Sequence, residues 1–103
     1  MDYEIKLHKE LKEDIISAIT WYENQTIGLG NTFLEKFEIA IEKISKNPKI
    51  YPVVFEQIRR KIMKTFPFGV YYFMEGKFIY ILGCYHFKRE PNYFKERMRN
   101  FWE

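Results

Sequence analysis

FGVYYFMEGKFIYILGCYHFKREPNY, residues 68–93, decides the architecture. Two runs rich in aromatic and β-branched residues flank Glu75-Gly76, which is the pattern of a β-hairpin. The second run, Phe78–Tyr85, is almost wholly apolar, so the spacing predicts a central strand covered on both faces. It then breaks into His86-Phe87-Lys88-Arg89-Glu90-Pro91. A buried strand that delivers a histidine and two cations to its own end is suited to anion chemistry.

Upstream of the hairpin, residues 58–66, IRRKIMKTF, read as a strand carrying four cations, and Pro67 interrupts the ladder before the next strand. Residues 49–57 read as a loop, with Tyr51-Pro52 biased toward extended backbone. Before that loop the period is helical. Phe33, Phe37, Ala40, Ile41 and Ile44 trace one apolar stripe, which Asn47-Pro48 ends because proline cannot continue the ladder. Leu11, Ile15, Ala18, Ile19 and Tyr22 trace another, in a helix running from His8 to Asn24–Thr26. Glu10, Glu13 and Asp14 stand early in it, where carboxylates complement the helix dipole. Residues 27–31, IGLGN, form a tight connection, so the two helices are an antiparallel hairpin. Tyr3–Leu7 alternates like a short, half-exposed strand. After the β-hairpin, Pro91 suits the first turn of a closing helix, and Phe101 and Trp102 are bulky enough to dock on the body.

The resulting order, β-α-α-β-β-β-α, predicts an α+β fold with the helical hairpin packed on one face of a mostly antiparallel, twisted sheet. At 103 residues the chain is expected to be one domain, 1–103. An aromatic content of 19% supplies core material and argues against disorder. A single cysteine, Cys84, excludes a disulfide framework and fits a reducing cytoplasm. No apolar run approaches the roughly 18 residues that would span a bilayer, so no membrane role is expected. Residues 1–57 hold 7 Lys/Arg against 10 Asp/Glu, and residues 58–103 hold 10 against 4. The sheet half is therefore basic, a split that points to a polyanion-facing side or to solvated lysines.

Several local patterns together resemble the toxins of the bacterial RelE/ParE superfamily in type II toxin–antitoxin modules. They are Trp21-Tyr22; Gly28-Leu29-Gly30 before Phe33-Leu34; Asn47-Pro48 with Tyr51-Pro52; Arg60 ahead of Phe66-Pro67-Phe68; and residues 86–91, HFKREP, with Arg97. The ParE-like, plasmid-stabilisation branch is the more similar one, through the WY…GLG hairpin and the H-x-(R/K)-R-x-P element. The resemblance implies a toxin held silent by a cognate antitoxin. It also implies either of two targets: DNA gyrase, poisoned without cutting, or the ribosome with its mRNA, cleaved without a metal. A fold alone does not choose between them. A basic binding domain with no toxicity is the third reading.

For a nuclease, metal-free RNA cleavage needs a base, an acid and cations around the phosphate. Histidine as a residue type titrates near neutrality, so His86 could take either proton-transfer role. Arg89 and Lys88 would clamp phosphate, arginine in a bidentate way, and Tyr93 would donate a hydrogen bond or stack on a base. Against this stands a strand-end histidine that merely packs. Arg59, Arg60, Lys61 and Lys64 are the nucleic-acid-binding candidates, Arg59 and Lys61 on one strand face and Arg60 and Lys64 on the other. The plainer expectation is an edge strand guarded by cations, some paired with Glu35, Glu38 or Glu56. His8 reads as structural or solvated. One cysteine and two distant histidines give no metal-ligand spacing, and no nucleotide-binding glycine loop occurs, so no cofactor is expected. The aromatic series from Tyr71 to Tyr85 reads as core rather than as a stacking platform.

Overall fold

A computed structural model describes residues 2–88 and 92–101, without the side chains of Asn92 and Tyr93. Along the chain run β1 (Glu4–Leu7), α1 (Leu11–Gln25), α2 (Leu29–Lys46), β2 (Val53–Phe55), β3 (Ile58–Ile62), β4 (Phe68–Glu75), β5 (Phe78–His86) and α3 (Asn92–Arg99). The strands form one sheet in the order β1-β5-β4-β3-β2. Only β1 and β5 are parallel; every other neighbouring pair is antiparallel.

The hairpin β4–β5 is the centre of the sheet, as its apolar runs require. Glu75 pairs with Phe78, leaving Gly76-Lys77 as a two-residue turn in which Gly76 takes φ 61°. Burial is nearly continuous along both strands. The ladder slips between Tyr71 and Tyr72, which face Gly83 and Ile81, so Leu82 is an extra residue on β5. That extra residue resets the alternation. Ile79 and Ile81 face the helical hairpin, and beyond the bulge it is Cys84 that does so, not Gly83.

The core on that side joins Leu11, Ile15 and Ala18 of α1 with Phe33, Ala40 and Ile44 of α2 against Val70, Tyr72, Ile79 and Ile81. Tyr22 and Phe33 lie edge-on to Phe66 with ring centroids 4.7 and 5.1 Å away, contacts of about 0.5–1.5 kcal/mol each beyond their buried area. The buried Tyr72 hydroxyl donates to the Pro48 carbonyl at 2.6 Å, which ties the end of α2 to the sheet.

The helical hairpin packs on one face, as expected; the closing helix does not join it there. Helix α3 lies on the opposite face, where Phe94 packs with Ile58, Tyr71, Phe73, Tyr80, Leu82 and Tyr85 in a second core. A central strand apolar on both faces demands such a cover. Phe101 docks there too, edge-on to Tyr80 at 5.1 Å and to His8 at 5.3 Å; Trp102 falls outside the described residues.

The expected loop at 49–57 contains a strand, β2, which pairs with β3 across a turn where Glu56 has φ 51°. So β3 is an inner strand, not the guarded edge the cations suggested. It also stops at Ile62. Residues 63–67 leave the ladder with Thr65 at φ 78°, and Met63 and Phe66 turn into the core.

Helix α1 begins at Leu11 because the His8 N–H still bonds to Ile81 of the sheet at 3.0 Å. The buried His8 ring is structural: Nδ1 accepts the Glu10 N–H at 3.1 Å and Nε2 pairs with the Asn100 amide. Helix α2 begins at Leu29 for an electrostatic reason. The Glu23 carboxylate of α1 accepts the N–H groups of Gly28 at 3.0 Å and Gly30 at 2.9 Å, placing an anion on the new helix's first turn. Gly28 sits there at φ 91°, and a Cβ on Gly30 would meet Glu23 and Ile19. The GLG sequence is the form of this joint.

Candidate functional site

Strand β5 is longer than the neighbour on its outer flank. β1 covers Phe78 to Ile81, after which the chain leaves the sheet for α1. From Leu82 onward the flank of β5 would present bare backbone groups. Two side chains meet the first of them. The Cys84 N–H donates to Asp14 Oδ2 at 3.0 Å, and Arg97 Nη1 donates to the Leu82 carbonyl at 3.3 Å. Asp14 comes from α1 and Arg97 from α3, and they bond to one another twice, Nη1 to Oδ2 and Nη2 to Oδ1, the latter at 2.8 Å. Their side chains are 9% and 12% exposed.

Gly83 makes the meeting possible. A Cβ there would lie 2.5 Å from Arg97 Nη1, 2.6 Å from the Tyr85 ring and 2.9 Å from Asp14 Oδ2. Burial works against the Arg97 charge, but the Asp14 carboxylate, with Tyr85 and Glu10 behind it, more than offsets this and raises its pKa.

Beyond this pair opens a cleft of about 300 Å³. Glu13, Asp14, Ser17, Ala18 and Trp21 of α1 form one wall; Phe68, Cys84, Tyr85 and Arg97 form the other. Trp21 stands at its rim, 59% exposed. Cys84 itself is buried against Met63, with its Sγ 3.6 Å from the thioether sulfur, and desolvation raises its pKa. Its thiol is inert at neutral pH.

His86 ends β5 opposite Phe68, whose ring lies 5.9 Å away, and it stacks on Phe87 at 5.2 Å. Its Nδ1 accepts the Lys88 N–H at 3.1 Å. Lys88 and Lys64 are exposed in the segments that follow β5 and β3. Arg89 lies outside the described residues, as does the side chain of Tyr93.

The cations of β3 divide by face as the alternation requires. Arg59 turns toward the helical hairpin, where Nη1 donates to the Tyr51 carbonyl at 2.7 Å and the Lys49 carbonyl at 3.1 Å. It holds the 49–51 segment rather than pairing with an acid. Lys61 lies over the Tyr51 ring at 4.6 Å; burial, then the charge of Lys43, pull its pKa below the ordinary lysine range. Arg60 takes the other face beside Tyr71, where a Cβ on Gly69 would strike its side chain. Thus β3 does not gather its cations around His86. Among the described residues, no three His, Cys, Asp or Glu side chains are close enough together to hold a metal ion, and no helix is long and apolar enough to cross a membrane.

Asp14, Glu13 and Ser17 were not site candidates from sequence. Asp14 read as a helix-dipole carboxylate, and its partner lies 83 residues away.

No protein-family model matches the chain, and no curated protein matches it in sequence. Among solved structures it is similar to a chain described as "Chromosomal ParDE TA system from P. aeruginosa", with a TM-score of 0.61 and 18% identity. The alignment covers 82% of this chain and 95% of that one. At that identity the likeness speaks to the fold alone: this chain shares its α+β architecture, two helices on a mostly antiparallel five-stranded sheet, with that chain.

Proposed function

We propose that the chain is the toxin of a bacterial type II toxin–antitoxin module, ParE-like, acting in the cytoplasm by binding DNA gyrase and neutralised by a cognate antitoxin. The fold shared with a chain of a ParDE system carries this reading. Three features of the site support binding over cutting. The His86 Nδ1 lone pair, which a general base would use, already accepts the Lys88 N–H. Arg59 Nη1 is engaged with backbone carbonyls and Arg97 with Asp14, which favours structural roles for both over phosphate binding. An apolar groove beside β1, lined by Leu7, Leu11, Ile15, Ile16 and Phe37, leaves Leu7 and Ile16 exposed for a partner to cover. Arg89, Lys88, Lys64 and Tyr93 stay candidates for contact with the target.

The test is a supercoiling assay with purified gyrase, relaxed plasmid and the purified chain. Dose-dependent loss of supercoiling, relieved by the product of the adjoining gene, is the expected result. Unimpaired supercoiling at a large molar excess of a folded chain contradicts the gyrase target.

A further inference from the structure

Strand β1 is an edge of the sheet, with β5 on one flank and no strand among the described residues on the other. The Glu4 N–H donates to the Lys77 carbonyl at 2.9 Å and the His8 N–H to the Ile81 carbonyl at 3.0 Å, so the even-numbered residues bond to β5. Alternation turns the backbone groups of Tyr3, Ile5 and Leu7 outward, a row of donors and acceptors that can template another strand. Neither a proline nor a bulge blunts this edge. It carries two exposed charges, Glu4 and Lys6, but they differ in sign. They stand two residues apart on one face of β1 and pair with each other at 3.2 Å.

We infer that β1 is the seat of a homodimer, in which a second copy of this chain adds its own β1 antiparallel about a two-fold axis at Ile5. Such an interface is isologous, so every contact away from the axis occurs twice. Ile5 meets its own copy, Tyr3 meets Leu7, and Glu4 meets Lys6. The first three are the residues whose backbone groups face outward, and they become the hydrogen-bonded positions. Glu4 and Lys6 fall at the positions between, where Cα atoms approach to about 4.5 Å and side chains lie closest. Each carboxylate then has an ammonium beside it on its own strand and another across the axis. Leu7, 60% exposed, comes to lie against Tyr3 on the helical face of the sheet.

Charge selects this register over its neighbours. An axis at Glu4 or at Lys6 would set that residue against its own copy, and an axis at Tyr3 would set Glu4 against Asp2. Like charges directly opposite are destabilising. A single-sign guard of lysines would repel a second copy in every register; the order Glu-Ile-Lys is complementary to itself when reversed. The pairing uses neither the cleft at Trp21 nor the end of β5, so it stands apart from the toxin reading.

The test is sedimentation velocity of the purified chain in a concentration series reaching about 1 mM, the weak end of specific association. A reversible shift from monomer to dimer is expected. Glu4→Lys and Lys6→Glu, each at an exposed side chain, set like charges at both symmetric positions and should each weaken the dimer by about 10-fold or more. Mixed in equal amounts, the two variants bring opposite charges together again and should associate with one another as tightly as wild type does. That rescue excludes a folding defect as the cause of either loss. A monomer at every concentration overturns the proposal and leaves the edge to a different partner. A dimer that both variants form as well as wild type, or a mixture that fails to associate, overturns it too.

Discussion

Asp14 and Arg97, 83 residues apart, close the outer flank of β5 by bonding to each other and to its backbone on either side of Gly83. The pair joins α1, the central sheet and α3 at one point. Its carboxylate is matched by two guanidinium bonds and a backbone N–H, which is the condition under which a buried charge pair is tolerated.

Removing one member should therefore cost far more than removing both. Asp14→Ala leaves a largely buried guanidinium with only the half-exposed Glu10 carboxylate, 3.7 Å from its Nε, and should destabilise the fold by about 3 kcal/mol in a denaturant titration. The double variant Asp14→Leu with Arg97→Met leaves no buried charge and should lie nearer to wild type than either single change. Additive losses in the double variant would mean that the two residues act separately.

Gly83 is the steric condition of the same contact. Gly83→Ala places a methyl against Arg97, Tyr85 and Asp14 and should cost about 1–3 kcal/mol. In an Arg97→Ala background the penalty should shrink, because the closest obstacle is gone. An unchanged penalty would place the strain in the backbone instead.

The joint between α1 and α2 predicts a pH dependence. The Gly28 N–H first, and the Gly30 N–H second, hold the Glu23 pKa below its ordinary value in the folded chain. As pH falls, the unfolded chain takes up this proton before the folded one does. The contribution is thus complete above the ordinary glutamate range and lost as pH falls through the lower, folded value. Glu23→Gln should be less stable than wild type at neutral pH, and the two should converge once the pH falls below the lowered, folded Glu23 value. A gap of the same size above and below it would show that the carboxylate charge is not what holds the turn.

The basic residues differ in kind, and stability measurements should sort them. Arg59→Ala removes a charged donor from two carbonyls of the 49–51 segment and should cost about 1.5–3 kcal/mol. Lys64→Ala and Lys88→Ala, at exposed positions, should stay within about 0.5 kcal/mol of wild type. If these two also fail to bind the target or to stop growth, they belong to the contact surface. A stable Arg59→Ala variant would free that residue for the same role.

Local pattern made most of the architecture readable. The apolar stripes of α1 and α2, the stop at Asn47-Pro48 and the turn at Gly76 are each decided by a few neighbouring residues, and the structure follows them. What pattern could not reach depends on partners distant in sequence. Three residues of β2 become a strand only because β3 offers an edge. The placement of α3 follows from the second apolar face of the sheet, which the order of elements alone does not assign. Arg59 looked like a nucleic-acid contact because its strand carries four cations, and only the folded chain shows the two carbonyls it faces. Asp14 looked like a first-turn acid for the same reason. The aromatic series from Tyr71 to Tyr85, read as core, is core: Tyr71, Tyr72, Phe73, Tyr80 and Tyr85 are buried, and Phe78 is half-buried.

The central claim, that this chain stops growth by binding rather than by cutting, is tested most directly by mapping mRNA 5′ ends within minutes of inducing it in a bacterial host. The account predicts arrested growth with messages as intact as in the uninduced culture, and the same arrest from His86→Ala. Codon-phased cuts within translated regions that disappear in His86→Ala would contradict it and make the strand-end histidine a catalytic residue.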